Sequence, residues 1–93
     1  MIQKTIHAIV EGKVQGVFFR AYTKDEAERL GLSGWVRNRT DGSVEALISG
    51  DSRNVDRMLE WLETGSPMSQ VSRVIIKPGK QQPSETKDFV IKY

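Results

Sequence analysis

Three features of the sequence predict an α+β domain of order β-α-β-β-α-β with a further short strand at its end. Two apolar stripes, Phe19-Thr23-Ala27-Leu30 and Val55-Met58-Leu59-Leu62, recur at the three- and four-residue spacings of helices. Between them Asp41-Gly42 joins two short alternating runs, a strong hairpin signal. Runs of alternating, β-branched residues lead in and close the chain. Two βαβ-type crossovers around a hairpin make the ferredoxin-like split arrangement, a sandwich of one mostly antiparallel sheet and two helices. Both helices would cover one face of the sheet, leaving the other partly solvated.

Residues 2–14 read as the first strand. Ile6, Ala8 and Val10 fall on one side, and Thr5, His7, Ile9 and Glu11 on the other. A glycine-bearing loop follows, then a helix over about 20–30, with Gly31 placed for a left-handed cap. The hairpin strands are expected over 33–40 and 43–49. Val44, Ala46 and Ile48 alternate there with Glu45, Leu47 and Ser49, so at least one face is buried. Trp35 is expected to cover part of the open face. Gly50 is read as a strand breaker, and Asp51 or Ser52 as the cap of the second helix, which Gly65-Ser66-Pro67 would end. Val71, Val74, Ile75 and Ile76 give another strand, interrupted or ended at Lys77-Pro78-Gly79. Residues 80–87 read as a loop or frayed hairpin tip, and 88–93 as the last short strand.

Size and composition narrow the function. At 93 residues there is room for one core, so residues 1–93 are expected to form one domain. Apolar residues at 38% and charged residues at 28% fit an ordinary globular chain. The net charge of +2 comes from scattered basic residues, without the stripe expected of a nucleic-acid binder. No cysteine is present, which removes disulfides, thiolate metal sites and a cysteine nucleophile. No apolar run approaches the ~20 residues of a membrane span. The N-terminus lacks a signal peptide's apolar region, so a cytoplasmic protein is expected.

The stretch Gly12-Lys13-Val14-Gln15-Gly16-Val17-Phe18-Phe19-Arg20 stands at a strand–loop–helix junction. Such a junction leaves backbone N–H groups unpaired and can hold an anion. Gly12 and Gly16 permit tight turning and close approach of the backbone to a ligand. Arg20 adds a planar fork of donors suited to phosphate or carboxylate, although a surface arginine after an ordinary glycine turn has the same spelling. The Gly-Lys-Ser/Thr ending of nucleotide-hydrolase loops is absent, which disfavours ATP or GTP. Asn38 shares a strand face with Val36, while Trp35 and Arg37 share the other. Its amide either supports the Asp41-Gly42 turn or holds a water or substrate oxygen. His7 lacks serine–aspartate company and reads as a strand histidine, and no His/Asp/Glu set has metal-ligand spacing.

These residues resemble a known family. The stretch from Gly12 to Arg20 is similar to the first signature of the acylphosphatases. Gly34-Trp35-Val36-Arg37-Asn38, then Gly42-Ser43-Val44 and Gly50, resembles the second, with matching spacing. The similarity runs over essentially the whole chain, and length and element order agree. It implies hydrolysis of acyl phosphates to a carboxylate and inorganic phosphate, with no metal, no cofactor and no covalent phosphoenzyme. By motif position Arg20 would bind phosphate and Asn38 would position the attacking water. The backbone N–H groups of Gln15, Gly16, Val17, Phe18 and Phe19 would hold the remaining oxygens.

The expected partners are a small-molecule acyl phosphate and inorganic phosphate as product and competitive ligand, with no nucleic acid and no membrane. Nothing implies an obligate oligomer, and a monomer is expected. A ferredoxin-like RNA-binding module would need exposed aromatics on neighbouring strands, and beyond Trp35 no such pair is found. A domain of a larger carbamoyl-handling enzyme would carry the same motifs. A 93-residue chain with its own initiating Met is expected to stand alone.

Overall fold

The structure, a computed structural model, describes residues 2–80 and 88–93. The elements follow in the order β1 (Gln3–Lys13), α1 (Phe19–Arg29), β2 (Ser33–Asn38), β3 (Val44–Asp51), α2 (Ser52–Thr64), β4 (Gln70–Pro78) and β5 (Phe89–Ile91). They build one five-stranded sheet of order β4-β1-β3-β2-β5. All pairings are antiparallel except β2 with β5. The α+β ferredoxin-like class is thus the one observed. The expected loop at 80–87 falls, from residue 81 on, outside the described residues.

Period-two alternation decides which face is buried. Ile6, Ala8 and Val10 of β1 lie opposite Ile48, Ala46 and Val44 of β3, and all six are essentially inaccessible. Val36 of β2 and Phe89 of β5 extend the same face. Phe19, Thr23, Ala27 and Leu30 from the first helical stripe, and Val55, Met58 and Leu62 from the second, complete the core. Each fully buried large apolar side chain contributes about 1.5–3 kcal/mol relative to exposure.

The opposite face carries a polar cluster. His7 Nε2 lies 2.6 Å from Glu45 Oε2, and Arg37 Nε donates to Glu45 Oε1 at 2.7 Å. Trp35 stands among them, edge-on to His7 and beneath the cations of Arg37 and Lys92. His7 is therefore a partnered strand residue. Burial pushes the Glu45 carboxyl up, but the hydrogen bonds and charges of Arg37 and His7 outweigh it and hold it below the ordinary range.

Several boundaries move for local reasons. The hairpin turn is five residues, 39–43, rather than Asp41-Gly42 alone. Asp41 Oδ1 accepts from Ser43 N–H at 2.9 Å and from its hydroxyl at 2.5 Å, and Arg39 N–H donates to Ser43 O. This self-contained Asx turn replaces the last ladder rungs. Gly50 does not break β3: it pairs with Lys4, and its missing side chain leaves room for Leu32. Gly31, at φ 69°, forms the left-handed cap of α1, with Gly31 N–H bonded to Glu28 O and Leu32 N–H to Ala27 O. Pro78 is tolerated at the end of β4 because that strand lies at the sheet edge.

Candidate active site

Sheet order brings the glycine loop to the hairpin. Val10 pairs with Val44, and Asn38 also pairs with Val44, so the end of β1 and the end of β2 flank the start of β3. The chain leaving β1 must then pass the hairpin mouth before entering α1. β5 runs parallel to β2, with Ile91 opposite Val36 and Lys92 N–H bonded to Val36 O. The C-terminal residues therefore arrive beside Asn38. Between these pieces lies a pocket of about 340 Å³, bordered by Val14, Gly16, Phe18–Ala21, Asn38, Ile91 and Tyr93.

The loop's backbone explains the pocket's character. Gly16, at φ 75°, and Phe18, at φ 59°, both adopt left-handed conformations. A phenylalanine there is strained, and Phe18 is also 75% exposed, so no burial compensates it. The alternating hand of this backbone turns successive N–H groups outward, as in anion-binding nests. Among the described residues, no acceptor receives the N–H groups of residues 15–21. Nor does any side chain cap the start of α1. Gly16, Phe18, Phe19, Arg20 and Ala21 border the pocket, whereas Gln15 and Val17 do not. The buried Ser66 hydroxyl pins this path by donating to Val17 O at 2.9 Å.

Gly12 serves a different end from the one expected. It lies inside β1 at a β-bulge against β4, at φ 127°, where a Cβ would run into the Gln70 carbonyl. Its freedom admits the bulge, and Gly16 alone lines the pocket.

Arg20 differs from most arginines of the chain. Arg29, Arg37, Arg39, Arg53 and Arg73 each lie beside a carboxylate, that of Arg29 being Glu26. Among the described residues Arg20 has none, and its guanidinium carbon lies 5.0 Å from the centre of the Tyr93 ring. Stacking orients the guanidinium, and among the described residues no acceptor takes its N–H donors. Asn38 shares the face of Val36, hence the side of α1, and its amide has no hydrogen-bond partner among the described residues. The turn is held by Asp41 and Ser43 instead, so turn support is not what Asn38 supplies. The Asp41 carboxyl is held below its usual value chiefly by the Ser43 hydroxyl and then by the Ser43 N–H.

Two features lay beyond the sequence reading. Tyr93 and Ile91 wall the pocket, which follows only from the parallel β2–β5 pairing. The side chain of Gln15 crosses to the hairpin, donating from Nε2 to Arg39 O at 2.8 Å and Ser43 O at 2.9 Å. Among the described residues, no group of three His, Asp or Glu side chains gathers around a common point. No helix there is long and apolar enough to cross a membrane. What converges on the pocket is a row of N–H donors, a guanidinium and an amide, a set matched to an anion and a neighbouring water.

The sequence model of the acylphosphatase family matches residues 6–91. An acylphosphatase of Syntrophobacter fumaroxidans is 49% identical over 77 residues, covering 83% of this chain and 79% of that one. The structure of an acylphosphatase from Coxiella burnetii superposes with a TM-score of 0.90 at 38% identity, covering 97% of this chain and 93% of that chain. That of a Bacillus subtilis acylphosphatase does so with a TM-score of 0.90 at 35% identity, covering 99% and 100%.

Proposed function

The chain belongs to the acylphosphatase family and is an acylphosphatase, and we propose that it works without a metal, by direct attack of water on phosphate held in a backbone N–H and arginine cradle. The substrate is a small-molecule acyl phosphate, and the products are a carboxylate and inorganic phosphate. Residues 1–93 act as one domain, monomeric and cytoplasmic, with inorganic phosphate as a competitive ligand.

One observation carries the reading: among the described residues, the N–H groups of Gly16 and of Phe18–Ala21 that no acceptor receives, an Arg20 beside no carboxylate and an Asn38 amide without a hydrogen-bond partner border one pocket. Phosphoryl transfer needs positioning and stabilisation of charge on the equatorial oxygens more than covalent chemistry. The N–H groups of Gly16, Phe18 and Phe19 and the Arg20 fork supply fixed donors for those oxygens, at no reorganisation cost during reaction. Water held by the Asn38 amide attacks phosphorus in line. Its oxygen forms the new P–O bond as the bond to the acyl oxygen breaks, and the carboxylate departs with that electron pair. The water's proton passes to a phosphate oxygen of the substrate. A carboxylate is a good leaving group, so neither a strong general acid nor a histidine base is required.

Hydrolysis of benzoyl phosphate, followed spectrophotometrically with and without EDTA, tests this. Turnover is expected to be unchanged by the chelator. Loss of turnover on chelation would overturn the metal-free mechanism, and no hydrolysis at all would overturn the enzyme reading.

A further inference from the structure

We propose that Gln15 is a positioning residue whose side chain sets the separation between the phosphate cradle and Asn38. This inference rests on the water-positioning reading of Asn38. Gln15 Nε2 donates to the carbonyls of Arg39 and Ser43, at 2.8 and 2.9 Å. Both partners are acceptors only, so the nitrogen of the amide must face them. Arg39 directly follows Asn38, and Ser43 directly precedes Val44, the strand partner of Asn38. The amide therefore grips both legs of the hairpin at its mouth.

The other hydrogen bonds of the turn do not do this. Asp41 with Ser43, Arg39 N–H with Ser43 O and Gly42 N–H with Arg39 O all close within the turn itself. The remaining side-chain bond to the loop, from Ser66 to Val17, ties it to the end of α2. Among the described residues, Gln15 is thus the one side chain hydrogen-bonded across the gap from loop to hairpin. The cradle rides on β1 and α1, whereas Asn38 rides on β2. A reaction that aligns water with phosphorus needs these elements in fixed register, and slack of about 1 Å costs on the order of 10²-fold in rate.

Gln15→Met preserves length and removes both donors. Gln15→Glu preserves shape but sets a carboxylate against two carbonyls, and regains a donor only when protonated. For Gln15→Met, kcat is expected to fall about 10- to 100-fold. Inhibition by inorganic phosphate should stay within about threefold, because the backbone cradle is intact. In an Asn38→Ala background the same change should cost little more, since its effect travels through Asn38. Gln15→Glu should regain kcat relative to Gln15→Met as pH is lowered through the titration of the introduced carboxyl. Circular dichroism of each variant verifies folding before the comparison. If Asn38→Ala slows turnover but Gln15→Met does not, the positioning role fails while the Asn38 reading survives. It also fails if Gln15→Met weakens phosphate inhibition as much as it slows turnover, or if the two substitutions multiply. If Asn38→Ala alone leaves kcat unchanged, the underlying reading is overturned.

Discussion

The two helices lie on the same face of one sheet yet begin in opposite ways. At the start of α2, Asp51 turns its carboxylate onto Arg53 N–H at 2.9 Å, and the first turn is closed by its own chain. At the start of α1 the N-cap position is Phe18, strained into a left-handed conformation, exposed, and offering no side-chain acceptor. Capping satisfies orphan donors and stabilises a helix. Leaving them open keeps the positive end of the helix dipole available to an outside anion. One junction is closed by its own chain, and the other leaves its donors open. The difference lies in the cap residue, both in its backbone conformation and in its side chain's ability to accept a hydrogen bond.

Substitutions at these two ends should therefore affect different observables. Arg20→Ala is expected to reduce kcat/KM on benzoyl phosphate by about 10³-fold or more, with little change in unfolding midpoint. Arg20→Lys should recover little of this, because an ammonium cannot make the paired contact. Retention of most activity by the lysine variant would show that charge alone suffices at the α1 junction. At the other helix, Asp51→Ala should cost about 1 kcal/mol in denaturant-derived stability and leave turnover unchanged. A loss of activity there would break the division between the two ends.

Phe18→Gly should raise stability by up to about 1 kcal/mol, since glycine accepts the left-handed conformation. Its kcat should fall a few-fold as the loop loses its single conformation. A gain in both would mean that the strain serves nothing. The smallest effect concerns the far face of the sheet, where the part-buried Glu45 lies between Arg37 and His7. Its folded-state titration is depressed, so its contribution is present above the ordinary carboxylate range and lost as pH falls through that depressed value. Wild type should lose stability relative to Glu45→Gln in that acid window by less than about 1 kcal/mol, read from unfolding midpoints across pH. No difference between them would show the ion pairs to be energetically silent.

Much of this organisation is legible in the residues. The helical stripes, the alternation in β1 and β3, the Gly31 cap and the Asp51 cap are local patterns, and local sterics and hydrogen bonding suffice to realise them. The loop from Gln15 to Phe19 also announces itself locally, by lying between a strand and a helix with glycine inside it. Gly12 and Gly50 misled for one reason. A glycine's freedom is visible in sequence, but whether it is used for a turn, a bulge or the room a neighbour needs depends on what packs against it.

Element order, the faces of the core and the presence of an open glycine-bearing loop before α1 were thus determined by the sequence alone, because each follows from contacts within a few residues. Tertiary structure decided the rest of the site. The register of β1 and β2 on β3 brings Gln15 to the hairpin and Asn38 to the pocket, and the parallel pairing of β5 delivers Tyr93 beside Arg20. Those meetings join residues more than fifteen positions apart. They are set by how the apolar faces pack together, which no short stretch of the chain encodes.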